Sequence, residues 1–334
     1  MLNIIERPIP AQQIGRYQED CPPLETYAKR TLLSSNQKLA KTPAGRKVIN
    51  AGLSFAPSKR AGVQVCPWAT ASCIAACVLW FGGRTVSKAV RQAAIARTMF
   101  WYWYKREFFA RLDKEIKALV RKAKRNGAQA YCRLNVASDI DYTQGTEHNG
   151  GYGARHLFHG NPDCTMYDYT KEVDRAERYG RGELPSNYHV SYSVHENTTY
   201  ADAKKLHDLG VNLVVVFDSD WTPAHGKIGR LPKWVHFRNN DNSLSAEPCN
   251  GFTVKCINGD QHDIRTPEYD GRGNCVALHL KGTNKAKANA RQSGFARPFE
   301  LGQTWSRRIL EIVGSRKVWE SDTVDGGIAY VDLA

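Results

Sequence analysis

From Ala128 onward short apolar strands alternate with helical segments, and this alternation constrains the fold more than any other feature of the chain. Strands are expected at 130–136, 165–169, 188–193, 213–217, 234–237, 252–257 and 275–280, with helices at 171–179 and 200–209, the second stopped by Gly210. Such alternation favours an α/β fold, a parallel sheet with helical crossovers. Unit spacings of about 20 to 30 residues, with no glycine-rich dinucleotide fingerprint after any strand, favour a complete or partial TIM-like barrel over a doubly wound sheet.

Three segments are expected within one structural domain. Residues 1–60 read as an N-terminal arm, carrying Pro8, Pro10, Pro22 and Pro23, followed by a basic loop region with Lys38, Lys41, Arg46, Lys47, Lys59 and Arg60. Residues 61–127 carry a cysteine cluster and a long helix, and 128–334 form the barrel-like body. The long helix is expected from Thr85, which can cap it, to Arg125, with Asn126-Gly127 as its stop. Val86, Val90, Ala93, Ala94, Phe108, Leu112, Ile116, Leu119 and Val120 recur along it at helical spacing and mark a core stripe. The aromatic run Trp101 to Tyr104 is expected to pack against the arm, with base stacking as the alternative.

Cys66, Cys73 and Cys77 stand in the stretch VCPWATASCIAACVLWFGG at C-x6-C-x3-C spacing. The last two are one helical turn apart and share a face, and Cys66 approaches from the preceding loop. A zinc site usually adds a second close cysteine pair or two histidines, and neither follows here. Three local thiolates with no obvious fourth ligand suit a [4Fe-4S] cluster with one iron left open. Zn2+ is the alternative metal, and three buried cysteines packed as small hydrophobes is the plain structural reading. Spacing names no fourth ligand: Cys132, Cys164, Cys249, Cys256 and Cys275 are candidates only if the fold returns them, and several are expected on strand faces as ordinary core residues.

Each strand is expected to end in polar residues, and in α/β barrels function gathers at those ends. They include Asn135 and Asp139 after the first strand, Lys171 after the second, and His195 and Asn197 in SVHEN. Asp260, Asp263 and Arg265 follow in NGDQHDIR, and Lys281 in HLKG. Any one of these can cap a helix or shape a turn, but together they place carboxylates and cations on one rim. Asp139, Asp260 and Asp263 can be read as ligands of a hard divalent metal, Arg265 and Lys281 as holding a phosphate or carboxylate. Asp139, Lys171, Asp260, Asp263 and Lys281 are therefore the catalytic candidates, with Asn135, His195, Asn197 and Arg265 as cofactor-binding candidates.

The motifs CPWATASCIAAC, preceded by GLSFAPSK and followed by RLNVASDID, YDYTKE, SYSVHEN, VVVF, INGDQHDIR and LHLKG, resemble those of the bacteriophage-associated gene product eighty-eight family. The resemblance runs from about Asn50 to Lys281 and implies a phage context. It also implies that Cys66, Cys73 and Cys77 belong to a family pattern and that Asp139, Lys171, Asp260 and Lys281 sit in family motifs. The arrangement further resembles radical S-adenosylmethionine enzymes, which hold a cluster on three cysteines at the mouth of a partial barrel, although their usual spacing is C-x3-C-x2-C.

With nine cysteines, no apolar stretch long enough to span a bilayer and no leader-like start, the chain is expected in a reducing cytoplasm, that of the host if phage-encoded. Its 42% hydrophobic content is enough for a sizeable core, and its net charge of +14 favours polyanionic partners. The expected function is an iron–sulfur protein acting on an unknown small molecule as a redox or radical-type enzyme. The alternatives are a metal-stabilised nucleic-acid-binding protein and a metal-dependent nuclease built on the three aspartates.

Overall fold

The computed structural model describes residues 23–28, 31–36, 39–81, 87–144, 155–218, 231–239, 251–298 and 328–333. The expectations for the arm before residue 23, Lys38, the Thr85 cap, Val86 and Cys249 lie outside the described residues.

The expected strands form at the expected places. The elements in order are α1 (Glu25–Ala28), β1 (Leu33–Ser34), β2 (Val48–Leu53), α2 (Ala71–Ala75), α3 (Val78–Phe81), α4 (Lys88–Trp103), α5 (Lys105–Arg125) and β3 (Gln129–Arg133). They continue with β4 (Cys164–Thr170), α6 (Val173–Gly180), β5 (Tyr188–Ser193), α7 (Tyr200–Asp208), β6 (Leu213–Asp218), β7 (Trp234–Asn239) and β8 (Gly251–Asn258). The last are α8 (Pro267–Asp270), β9 (Cys275–His279), α9 (Asn284–Gln292), β10 (Arg297–Pro298) and β11 (Ile328–Leu333).

One mostly parallel sheet collects the strands in the order β1-β2-β3-β4-β5-β6-β9-β8-β7-β11, with β10 beside the end of β6. From β2 to β6 the order follows the sequence without reversal, and each of these neighbours is parallel to the next. Of the complete or partial TIM-like barrel expected, the α/β class and the mostly parallel sheet are found, but among the described residues the sheet does not close. Beyond β9 the order reverses, β7 runs antiparallel to β8, and the two end strands β1 and β11 do not pair.

Alternation along the strands decides what covers each face. Ala130 and Cys132 of β3, Met166 of β4 and Val190 of β5 join Phe108, Phe109, Leu112 and Ile116 of α5 in one core. Tyr192, Leu213, Val215, Phe217, Cys275 and Ala277 continue that face against Ala176 of α6 and Leu206 of α7. The crossover helices α5, α6 and α7 therefore lie on one side, as right-handed crossovers between successive parallel strands require. Cys132, Cys164 and Cys275 belong to these cores and pack as small hydrophobes.

The opposite face is covered by the connection 259–274. Tyr131 and Tyr167 on that face pack with Ile264, and Tyr269 lies against them. Gly259 lets the connection leave β8 closely: a Cβ there would sit 2.5 Å from Val276 Cγ1 and 2.7 Å from Leu278 Cδ2. The space that a closed barrel would fill with layers of strand side chains is here occupied by chain.

Two local expectations are corrected. The stretch 34–60 is not only loop, because VINAGL forms β2, parallel to β3. The long helix is two helices, broken at Tyr104, whose φ of −129° and ψ of 56° are not helical. An unbroken helix would present its aromatics all round. The break brings Tyr104 against Tyr27 of α1 at 6.1 Å between ring centroids, while Trp101 meets Phe55 at 5.8 Å, so the run packs on the preceding segment as expected.

Candidate functional site

A cavity of about 260 Å³ opens at the C-terminal ends of the parallel strands. Its lining includes Cys66, Cys73 and Cys77, then Arg133 and Asn135 after β3, Asp139, Lys171 after β4, Ser193 of β5, Val216 of β6, Asp260, and His279 and Lys281 after β9. The structure thus gathers eight of the residues singled out from sequence: the three cysteines with Asn135, Asp139, Lys171, Asp260 and Lys281. The remaining four, His195, Asn197, Asp263 and Arg265, do not line it.

The cysteines reach the cavity because α2 is held from three sides. Thr70 caps it, its Oγ1 accepting from Cys73 N at 3.2 Å. Ser72 N donates to Glu196 Oε1 at 3.2 Å, Ser72 Oγ donates to the Ser293 carbonyl, and Asn289 of α9 donates to the Ala75 carbonyl at 3.1 Å. Burial would raise the Glu196 carboxyl, but bonds from Ser72 and Thr70 outweigh it and keep the group low and ionised. Cys66 sits on the preceding loop, its sulfur accepting from Ser58 N at 3.2 Å and lying 3.5 Å from the Ala137 carbonyl. Burial pushes the Cys66 thiol up to about 12, against the lowering effect of the Ser58 bond. Burial also raises Cys77, and neighbouring Cys73 raises it further. Both are thiols at neutral pH unless a cation takes the proton's place. Among the described residues no three His, Cys, Asp or Glu side chains are gathered tightly enough to hold a single metal ion.

The charged groups of the rim are mostly committed to one another. Asp139 Oδ1 accepts from Arg175 Nη2, and its Oδ2 accepts from the Lys171 backbone N at 2.9 Å. Asp260 accepts from Lys281 Nζ and, at 2.9 Å, from His279 N. Burial alone would raise the Asp260 carboxyl, but these bonds hold it below the usual carboxylate range. Asp263 is fully buried on the inner face, where it accepts from Arg133 Nη1 at 3.0 Å and Tyr167 Oη at 3.0 Å. Arg265 is also buried there, paired with Asp270 at 2.9 Å. The motif NGDQHDIR is therefore split: Asp260 stays at the rim, while Asp263 and Arg265 turn inward to satisfy the inner face. The three aspartates of the nuclease reading are not a cluster, and Arg265 is not placed to hold an anion at the cavity.

His195 is buried and held by its neighbours. Asn197 N–H donates to its Nδ1 at 3.2 Å, which puts the ring proton on Nε2, 3.2 Å from Tyr192 Oη. Burial, then the charge of Lys171, lowers its pKa to about 4, so the ring is neutral. Asn197 itself is exposed.

Sequence reasoning passed over Arg175, the most constrained charge near the site. Its side chain is fully buried, 3.2 Å from Glu172, and donates to Thr170 Oγ1 at 2.6 Å and to the Ile140 carbonyl at 2.9 Å. The available signal was an arginine next to the apolar positions Val173 and Ala176 of a helix.

Glu172 carries a testable pH dependence. Its Oε2 lies near Arg175 Nε without a hydrogen bond, so burial wins over the guanidinium and the carboxyl rises from 4.5 to about 7. The folded state then keeps a proton that the unfolded chain releases near its ordinary pKa, and stability from this group is lost as pH rises from about 4.5 to about 7. Glu172→Gln, which cannot ionise, is expected to gain stability relative to the parent across that window and to hold a constant gap above it. Urea midpoints of both proteins at pH 5 and pH 8 measure it; an unchanged gap would contradict the assignment.

Fold and site define an α/β protein with a thiol-lined cavity at the C-terminal ends of an open, mostly parallel sheet. The family model described as Gene product 88 matches residues 30–298, well over half of the chain, and the chain belongs to that family. No curated protein and no solved structure matches it. No helix among the described residues is long and apolar enough to cross a membrane.

Proposed function

We propose that this is a bacteriophage iron–sulfur protein that binds a [4Fe-4S] cluster through Cys66, Cys73 and Cys77 and works on a small molecule in the adjoining cavity. The single observation carrying this reading is that all three thiols line the same cavity as the polar strand ends. A cluster takes thiolate ligands, and with three of them one iron remains free to meet a ligand from the cavity. When bound, it would supply one-electron chemistry at that mouth. The chain's own part is to fix the thiols through Thr70, Glu196 and α9, to surround them with apolar side chains, and to present Lys171, Asp260 and Lys281 opposite.

The test is anaerobic reconstitution of the full chain with iron and sulfide. About four irons and about four sulfides per chain, with broad absorbance in the visible, are expected. A chain that takes up neither would overturn the reading. One zinc and no iron would also overturn it, in favour of a structural metal in a basic nucleic-acid-binding protein whose affinity falls steeply with salt.

A further inference from the structure

The charges around the cavity form pairs with one exception. Asp139 is held by Arg175, Asp260 by Lys281 and His279, and Asp263 by Arg133. Lys171 has no carboxylate partner among the described residues. Its Nζ donates to the neutral Ser193 Oγ at 2.9 Å and lies 5.5 Å from the centre of the Phe295 ring. A half-buried ammonium against a hydroxyl and a ring face is poorly compensated, and an anion brought to it gains a charge-assisted hydrogen bond in a partly dry site. Arg133, which also lines the cavity, is committed to Asp263 and to the Tyr169 ring, 4.4 Å from its guanidinium carbon, so Lys171 is left as the anchor.

We propose that the cavity binds a compact small molecule bearing one carboxylate on an apolar body, with the carboxylate seated on Lys171. The rest of the lining supports the apolar body: Ala76, Val216, Leu278, Leu280 and Phe295 surround the space. The volume of about 260 Å³ is near the lower end for small-molecule sites and sets the ligand's size. A lone ammonium suits a monoanion better than a phosphate, whose dianionic form draws several donors. Asp139 fixes the anchor by accepting from the Lys171 backbone N, which holds the end of β4 in register with the cavity. This inference rests on the pairing of charges and does not depend on the cluster.

Ligand-detected saturation-transfer NMR on the full chain tests it, with benzoate as probe, benzyl alcohol as its uncharged counterpart and phenyl phosphate as the dianionic one. The spectra are taken before and after iron loading, so that the fate of the cluster and the fate of the anion site are read separately. Benzoate is expected to bind in at least one of the two states, at least tenfold more weakly to Lys171→Met, and with part of the affinity kept in Lys171→Arg. Benzyl alcohol should not distinguish the variants. A thermal melt of Lys171→Met close to that of the parent establishes that the loss is local, and the arginine variant carries the test if it is not. Equal benzoate binding to parent and Lys171→Met, no benzoate binding in either state, or binding of phenyl phosphate without benzoate would each overturn the proposal.

Discussion

Replacing Arg175 by methionine is expected to destabilise the fold by about 3–5 kcal/mol, the usual consequence of removing one partner from a buried ion pair. The guanidinium is fully buried and donates to Asp139, Thr170 and the Ile140 carbonyl at once. Methionine has nearly the right length and fills the volume, so little of the effect comes from a cavity. The loss comes from acceptors left behind: Asp139, itself buried, loses its cation, while Thr170 and Ile140 lose a donor. Against a total stability of roughly 5–15 kcal/mol for a typical domain, the variant is expected to be partly unfolded at 37 °C. Arg175→Lys should fall between the two, because an ammonium keeps the charge but cannot reach three acceptors in one plane. Urea unfolding with an unchanged slope and a lowered midpoint is the expected record. A loss below about 1 kcal/mol would mean that the pair is no stronger than an exposed one. The effect should extend to the cavity, since Asp139 also orders the backbone at Lys171.

What could be read from the sequence follows what is local. The strands from Ala130 onward carry dense β-branched and aromatic residues between clear stops, and each appears where its composition puts it. The expectation of loop over β2 comes from its flanks, rich in lysine, arginine, glycine and proline, and from Gly52 within VINAGL. Its pattern becomes intelligible only in the sheet: Asn50 meets Tyr167 Oη at 2.7 Å on the inner face, and Leu53 joins the helix-side core. The open sheet was not legible either, since pairing order beyond β6 is a non-local property, and a strand looks the same locally whichever neighbour it takes. At the site, Asn135, Lys171, Asp260 and Lys281 stand one or two residues after a strand end and line the cavity, whereas His195, equally close to the end of β5, does not. Asp263 and Arg265, three and five residues beyond Asp260, turn to the inner face and do not line the cavity, a crossing that no local pattern in NGDQHDIR signals.

The second large effect is expected at the cysteines. Cys66→Ala, Cys73→Ala and Cys77→Ala should each abolish cluster loading while leaving the sheet intact, since the three thiols lie on the loop and helices above the strands. Because burial holds the Cys66 and Cys77 thiols protonated, loading must release protons and should go further at pH 8.5 than at pH 6.5. Cys164 is the control: it is fully buried on the helix-facing side of β4, raised to about 12 by burial, and away from the cavity. Cys164→Ala is expected to lose some stability by truncation in the core and no iron. The most direct measurement is therefore iron and sulfide per chain in Cys73→Ala and Cys164→Ala, reconstituted side by side without oxygen. The account predicts about four irons in Cys164→Ala and essentially none in Cys73→Ala. Equal iron in the two variants would contradict it.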